Sequence, residues 1–152
     1  FKDEGDSYNR VMVRLIADRL VEAFAEVLHE AVRKKYWGYE PHERLTREEL
    51  IKEKYKGIRP APGYPACPDH TLKGHLFELL GVHQRIGISL TESYAMNPAS
   101  SVAGFYMAHD LSRYFGIGKI GRDQLEDYAD RASIDLEEAE KWLQPMLDKH
   151  HK

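Results

Sequence analysis

The residues best suited to chemistry lie in a proline-rich segment that runs Arg59-Pro60-Ala61-Pro62-Gly63-Tyr64-Pro65-Ala66-Cys67-Pro68. Each proline removes a backbone donor and fixes φ, which excludes the segment from helix interiors and central strands. We predict a rigid extended loop with a turn at Pro62-Gly63. Because such a loop is stiff before binding, a ligand that lies along it loses little ordering entropy.

The groups carried by this loop suit a nucleoside or an anion. The guanidinium of Arg59 matches a carboxylate or a phosphate, and the ring of Tyr64 can stack on a base or a sugar. Peptide groups of Ala61, Gly63 and Tyr64 have no regular ladder partner, so we expect them to be free for the edge of a planar heterocycle. The composition leaves a second interpretation open, in which the loop is a brace under the helices and Arg59 pairs with Glu53.

A second candidate is an acidic edge on the first predicted helix. Asp18, Glu22 and Glu26 follow one another at four-residue spacing, so their carboxylates line one edge of that helix. Like charges at this spacing repel unless a positive charge lies against them. The pattern favours a solvated face with His29 and two arginines nearby, and it leaves open an edge that faces a ligand or a partner.

Other familiar chemistries find little support. Cys67-x-x-His70 offers two zinc ligands, but the chain has one cysteine and completes no common four-ligand set. There is no Gly-x-Ser-x-Gly elbow and no glycine-rich phosphate loop of the P-loop or Rossmann type. We therefore expect no metal ligands and no catalytic nucleophile in this chain, and we expect His70 to hydrogen-bond locally or to touch a ligand.

Size and composition are those of an ordinary folded domain. The 152 residues fit one domain, and 42% hydrophobic with 31% charged residues argues against disorder. A net charge of -3 argues against a nucleic-acid partner, and the apolar runs are far shorter than the roughly 20 residues that span a membrane. The single cysteine excludes an intrachain disulfide and favours a cytoplasmic location. We expect the chain, which begins at Phe1, to be part of a longer polypeptide.

Apolar periodicity predicts the elements that position these residues. A long helix is predicted over residues 7–37. Its apolar stripe consists of Met12, Leu15, Ile16, Leu20, Ala23, Phe24, Val27, Leu28, Ala31 and Val32. Thr46 and Glu49 have capping-box spacing and predict a short helix that extends to about Tyr55.

The rest of the chain combines helices with short strands. A helix is predicted from Asp69 or Thr71 to about Gly81, and its buried side is expected to consist of Leu76, Leu79 and Leu80. Short connections between segments rich in β-branched and aromatic residues predict mostly antiparallel strands at 88–93, 101–109 and 113–120. Two further helices are predicted at 123–132 and 135–143. The predicted fold class is α+β, with a long N-terminal helix, a mostly antiparallel sheet and flanking helices.

Residues 59–71, RPAPGYPACPDHT, resemble the signature of the S-adenosylmethionine-binding reactivation domain of cobalamin-dependent methionine synthase. A proline-punctuated string of this length is far more specific than a three-residue motif. The resemblance extends over nearly the whole chain, with further matches at residues 17–20, 22–26, 36–39, 90–93, 122–128 and 140–143.

The resemblance implies a role within a larger enzyme. Residues 1–152 would be part of a single reactivation domain whose N-terminal portion is missing here. The domain would bind S-adenosylmethionine and present its methyl group to cob(II)alamin for reductive remethylation. That step would reactivate methionine synthase, the 5-methyltetrahydrofolate–homocysteine methyltransferase of methionine biosynthesis. The implied partners are the cobalamin-binding module of the same polypeptide and a flavodoxin or flavoprotein reductase as electron donor, while other modules would hold cobalamin and zinc.

The same resemblance assigns roles to residues of the loop. Arg59 would pair with the carboxylate of the methionine moiety, and Tyr114 would contact that moiety. Backbone groups of Ala61, Gly63 and Tyr64 would hold adenine.

Acidic residues complete the implied site. Glu22 and Glu53 match acids near the ligand, where a carboxylate offsets the cost of removing a sulfonium cation from water. Asp18 would face the cobalamin-carrying module.

Three alternatives remain open. The chain could be a stand-alone module that docks proteins through its long helix and acidic edge, with the loop as a brace. It could also be a related corrinoid-protein reactivation module. A self-contained methyltransferase is disfavoured, because the chain has no glycine-rich strand–turn–helix cofactor motif.

Overall fold

The computed structural model describes residues 5–148, so Phe1 lies outside the described part of the chain. The helices are α1 (Ser7–Ala31), α2 (Arg47–Ile51), α3 (Leu72–Leu80), α4 (Val82–Ile86), α5 (Arg122–Ala132) and α6 (Leu136–Leu143), and the strands are β1 (Ser89–Leu90) and β2 (Met96–Asn97). The long helix, the small antiparallel sheet and the flanking helices confirm the predicted α+β class. Among the described helices, none is both long enough and apolar enough to span a bilayer.

Helix α1 confirms the long predicted helix and continues as a π-helical turn over Val32–Tyr36. Much of its apolar stripe is exposed: the large side chains left exposed include Met12, Leu15, Ile16, Leu20, Phe24 and Val27. Burial is confined to the end of the helix and the following turn, at Ala25, His29 and Arg33. A stripe is buried only where another part of the chain packs closely against it, and within the described residues this packing buries side chains of α1 and the following turn only at Ala25, His29 and Arg33.

Two of the three predicted strands are wrong as regular strands. β1 and β2 form an antiparallel pair in which Ser89 lies opposite Asn97, and β1 falls within the predicted 88–93 segment. Segment 101–109 makes a single antiparallel bridge, between Met107 and Ile58, and 113–120 makes a single parallel bridge, between Ile120 and Leu147.

The proline-rich loop explains why 101–109 forms no ladder. The backbone of Met107 exchanges both hydrogen bonds with Ile58, and the N–H of Phe105 donates to the carbonyl oxygen of Pro60 at 2.9 Å. Pro60 and Pro62 have no N–H to return, so the pairing stops after these contacts.

The helix boundaries agree with the prediction at α5 and α6, whereas α2 is shorter than predicted. Glu53 follows α2 with a φ of 54°, in the left-handed region, so the chain leaves the helix well before Tyr55. The capping box of Thr46 and Glu49 is confirmed, since each side chain accepts from the other residue's backbone N–H.

Helix α3 ends as predicted, with Gly81 in the left-handed conformation. Its predicted buried side is wrong, because Leu79 is 82% exposed and Leu80 is 54% exposed. The helix packs through its first turn instead, where the side chain of Lys73 is buried.

The main apolar cluster lies between the last two helices. It consists of Ile120, Leu125, Ala129, Ala139 and Leu143, with Tyr128, Ile134, Leu136, Met146 and Leu147 packed around it. The cluster is linked to the end of the proline-rich segment, because the hydroxyl of Tyr128, on α5, donates to the carboxylate of Asp69.

Candidate functional site

The proline-rich loop is held in place by close backbone approaches at two glycines. A Cβ atom on Gly57 would lie 2.4 Å from the carbonyl oxygen of Met107, and one on Gly104 would lie 2.7 Å from that of Pro60. Only glycine permits such approaches without displacement of the backbone. The backbones of residues 57–60 and 104–107 therefore pack directly against each other. The proline-rich loop continues from residue 60 toward the site.

The turn at Pro62-Gly63 is present as predicted. Gly63 has a φ of 100°, and its N–H donates to the carbonyl oxygen of Cys67 at 2.7 Å. The N–H of Tyr64 donates to the carbonyl oxygen of Ala61 at 3.2 Å. The expectation that these two N–H groups are free is therefore wrong, because the loop closes on itself with hydrogen bonds across the turn. The N–H of Ala61 and the carbonyl of Gly63 have no partner within residues 5–148.

Arg59 is held at both its backbone and its guanidinium. Its N–H donates to the hydroxyl oxygen of Tyr114 at 3.0 Å, and Nη1 donates to the hydroxyl oxygen of Tyr55 at 3.3 Å. Nη1 also donates to Oε2 of Glu26 at 3.0 Å, while Nη2 bonds Oε1 of the same carboxylate. The interpretation in which Arg59 pairs with Glu53 is wrong, since the forked ion pair is made with Glu26 of α1.

A buried histidine completes the surroundings of the guanidinium. Nδ1 of His29 lies 3.1 Å from Nη1 of Arg59, and the imidazole is fully buried between the rings of Tyr55 and Tyr106. Burial, followed by the positive charges of Arg33 and Arg59, lowers the pKa of His29 from 6.5 to about 3. His29 is therefore neutral near pH 7, and it does not offset the acidic edge as a cation.

The two tyrosines form a hydroxyl pair beside Arg59. The hydroxyl oxygens of Tyr55 and Tyr114 are 3.2 Å apart. Burial and the hydrogen bond to Tyr114 raise the pKa of Tyr55 well above its ordinary value. The sequence resemblance places Tyr114 against a ligand, and in the structure its hydroxyl contacts the backbone of Arg59.

A groove of about 170 Å³ lies along the loop. It is lined by Ala61, Pro62, Gly63, Tyr64, His70, Lys73, Met96, Ser101, Val102 and Ala103. Pockets that enclose a whole drug-sized ligand usually measure about 300–1,000 Å³. This groove is therefore suited to one part of such a ligand, such as a single ring system, and not to the whole molecule.

His70 and Lys73 line one side of the groove and lie next to a small polar cluster around Asp69. The N–H and hydroxyl of Thr71 each donate to Asp69 at 2.7 Å, and Tyr128 donates to the same buried carboxylate. Nζ of Lys73 lies 2.7 Å from Nδ1 of His70. The prediction that His70 hydrogen-bonds locally is thus confirmed. Burial lowers the pKa of Lys73, and burial followed by the charge of Lys73 lowers that of His70.

The acidic residues predicted from the resemblance are not joined to the loop by contacts. Glu22 and Glu53 are exposed, and within the described chain no hydrogen bond or ion pair connects either carboxylate to Arg59. Asp18 is also exposed, and its Oδ1 accepts from Oγ of Ser100 at 2.5 Å.

Several residues of the site were missed by sequence reasoning. Glu26 was recognised only as one member of an acidic edge, and His29 only as a nearby charge. Tyr55 was treated as the end of a helix, and Asp69 as a cap. The single available signal was the position of His29 at helical spacing from Ala25, on the side of α1 that becomes buried.

Cys67 and His70 are the potential zinc ligands of this segment. Within residues 5–148, no group of three or more His, Cys, Asp or Glu side chains is arranged to hold a metal ion. Burial, followed by the charge of Asp69, raises the pKa of the Cys67 thiol, which keeps it protonated and poorly reactive near pH 7.

Taken with the fold, this arrangement is a stiff loop whose first residue, Arg59, has a fixed guanidinium and whose residues 61–64 line a narrow groove. Residues 1–133 match the family described as "Vitamin B12 dependent methionine synthase, activation domain". The chain belongs to this family, which confirms the resemblance found from residues 59–71.

A solved structure shows the same fold. The chain is similar to the MetH reactivation domain bound to AdoHcy, with a TM-score of 0.91 and 56% sequence identity over 97% of this chain. The chain spans 45% of the length of that solved chain.

Proposed function

We propose that this chain binds S-adenosylmethionine and presents its methyl group to cob(II)alamin, so that an inactivated methionine synthase is remethylated. The observation that carries the proposal is the fixed guanidinium of Arg59, two residues before the stretch of the loop, 61–64, that lines the groove. Membership of the activation-domain family supports it, as does the similarity to a reactivation domain that was solved with AdoHcy.

In the proposed pose, the ligand lies along the loop. The carboxylate of the methionine moiety pairs with Arg59, and Tyr114, whose hydroxyl oxygen accepts the backbone N–H of Arg59, contacts the same moiety. Adenine occupies the groove along Ala61, Gly63 and Tyr64, where one peptide N–H and one carbonyl have no partner within the described residues. The Watson–Crick edge of adenine offers one acceptor nitrogen and one amino donor, which is the complement of such a pair.

The acidic residues would stabilise the positive charge of the sulfonium. Glu22 and Glu53 are proposed to lie near the ligand, where a carboxylate lowers the cost of removing the positive sulfur from water. Their exposure leaves both carboxylates available for this role.

Cobalamin, held by another module, would supply the metal centre that accepts the methyl group, and a flavodoxin or flavoprotein reductase would supply the one electron that this requires. The residues of this chain would hold S-adenosylmethionine during the transfer and S-adenosylhomocysteine after it. The contribution of this chain is orientation. Holding the sulfonium in line with its acceptor replaces a rare bimolecular encounter by a local one.

We propose that this chain is part of a larger domain. Residues 1–152 would be its C-terminal part, and the upstream part would cover the exposed apolar face of α1 and complete the ligand site. The 45% coverage of the solved reactivation domain and the narrowness of the groove support this arrangement. Asp18 would face the cobalamin-carrying module of the same polypeptide. We propose a cytoplasmic location, with which the single cysteine in these 152 residues is consistent, because it forms no intrachain disulfide.

Calorimetric titration of the full-length protein with S-adenosylmethionine tests the proposal. Arg59→Ala should weaken binding by roughly 1.5–3 kcal/mol, the range for a lost hydrogen bond to a charged group. Arg131→Ala is the matched control, since Arg131 is an exposed residue whose ion pair among the described residues is with Asp127 on its own helix. Unchanged affinity in Arg59→Ala would contradict the pose, and the absence of saturable binding by the wild type would favour a protein-docking module.

A further inference from the structure

We propose that His29 is a positioning residue that fixes the guanidinium of Arg59 for the carboxylate of the ligand. This inference rests on the proposed function, because it concerns the same site. His29 belongs to α1 and lies thirty residues before Arg59 in the sequence, so the contact joins the long helix to the loop.

The orientation of the imidazole is fixed by two aromatic rings. The ring of Tyr106 stacks on it at a centroid distance of 5.2 Å and an angle of 30°, while Tyr55 meets it edge-on at 4.8 Å. With 0% of its surface exposed, His29 has no free space in which to rotate. A rigid acceptor of this kind defines where the group that donates to it must lie.

The proton positions follow from the chemistry of the two side chains. A guanidinium has only donors, so Nδ1 of His29 must accept from Nη1 of Arg59, and the ring proton is on Nε2. Within the described residues, Nε2 is buried without a hydrogen-bond partner. An unpaired buried donor is unfavourable. An apolar residue of similar size would avoid the free-energy cost of this unpaired donor. We therefore infer that the role of His29 lies in its contact with Arg59.

The remaining donors of Arg59 show what is left for a ligand. Nη1 is shared among Glu26, His29 and Tyr55, and Nη2 bonds Glu26. Nε and the second N–H of Nη2 have no partner within residues 5–148. These two form the other edge of the planar fork, which can take a second carboxylate in bidentate fashion without displacing Glu26.

The charged and titratable groups around His29 favour its neutral form. Within residues 5–148, the cations that lower its pKa are Arg33 and Arg59, and the carboxylate of Glu26 binds the same Nη1 of Arg59. Tyr55 and Tyr106 present their rings to the imidazole. A cationic His29 would repel Arg59 and could not accept its proton. The contact is therefore maintained across the physiological pH range.

The test uses the full-length protein and two ligands. S-adenosylhomocysteine has the amino-acid carboxylate, whereas 5′-methylthioadenosine has the same adenosyl thioether without it. His29→Leu removes the acceptor, and His29→Asn restores one near the position of Nδ1. We expect His29→Leu to weaken S-adenosylhomocysteine on the order of 10-fold while the affinity for 5′-methylthioadenosine changes little, and His29→Asn to recover most of the loss.

The control is Leu125→Ala, which creates a cavity in the cluster between α5 and α6 and lowers stability without touching the site. Equal losses for both ligands, losses matched by Leu125→Ala, or no loss in His29→Leu would each overturn the inference. Failure of the wild type to bind S-adenosylhomocysteine would instead overturn the proposed function. If His29→Leu does not fold, ¹⁵N spectra of the histidine rings decide: an unprotonated Nδ1 on His29 from pH 5 to 8 is expected, and a protonated one would contradict the proposal.

Discussion

The hydroxyl oxygen of Tyr114 accepts the backbone N–H of Arg59 at 3.0 Å, across 55 positions of sequence. The contact fixes the main chain at the start of the proline-rich loop, and Glu26, His29 and Tyr55 fix the side chain of the same residue. A guanidinium restrained at both ends loses little further entropy when it binds a carboxylate. We therefore expect ligand binding at this site to depend on how rigidly Arg59 is held.

Tyr114→Phe removes the acceptor of the Arg59 N–H and leaves a partly buried donor unpaired. We expect a loss of about 1–3 kcal/mol in the free energy of unfolding and weaker binding of S-adenosylmethionine. Urea denaturation and calorimetry measure the two effects. Tyr36→Phe is the matched control, because Tyr36 is 68% exposed and its hydroxyl makes no hydrogen bond within the described residues. Equal stability of the two variants would contradict the role given to Tyr114.

Gly63→Ala should destabilise the loop for two reasons. The φ of 100° is strained for any residue with a Cβ, and that atom would lie 2.3 Å from Cε1 of His70. We expect a loss of roughly 1–3 kcal/mol in stability, measured by chemical denaturation. The double variant Gly63→Ala/His70→Ala should regain the part that is due to the clash. If the single variant is as stable as the wild type, the turn geometry described for this loop is incorrect.

Stability should depend on pH through His29. Its pKa falls from 6.5 to about 3 on folding, because of burial followed by the charges of Arg33 and Arg59. The unfolded chain therefore binds one more proton between these values. This contribution is fully present above pH 6.5 and declines at about 1.4 kcal/mol per pH unit as the pH falls toward 3.

Denaturation of the wild type and of His29→Asn at several pH values between 4 and 7 isolates this term, since the asparagine does not titrate. The difference in unfolding free energy between the two proteins should decrease as the pH falls. A difference that stays constant over this interval would show that His29 titrates alike in the folded and unfolded chains.

Tyr128→Phe should remove a hydrogen bond that links α5 to the end of the proline-rich segment. The hydroxyl of Tyr128 donates to Asp69, whose carboxylate also accepts two hydrogen bonds from Thr71. We expect a stability loss of about 1–2 kcal/mol, with the ring left in place to fill its space. Hydrogen exchange should show faster opening at residues 67–71 than at the distant capping box of α2. Uniform acceleration across the chain would contradict a local role.

The loop was the part of the site that could be predicted from sequence. Proline and glycine restrict the backbone directly, so the turn at Pro62-Gly63 followed from residue types alone. The capping box at Thr46 was predictable for the same reason, because it depends on residues three positions apart.

The partners of Arg59 could not be predicted in this way. Helical spacing placed Glu26 and His29 on α1, but it does not determine which loop packs against which edge. The strands at 101–109 and 113–120 were mispredicted because β-branched composition indicates an extended chain and not a hydrogen-bonded neighbour. In the structure, the neighbour of 101–109 is the proline-rich loop, which lacks the donors that a ladder needs.

A crystal structure of the full-length protein with S-adenosylhomocysteine tests the central claim most directly. The account predicts density for adenine against residues 61–64 and for the amino-acid carboxylate at about 3 Å from the Nε–Nη2 edge of Arg59. A nucleoside bound with full occupancy elsewhere, with that edge of Arg59 still open, would contradict it.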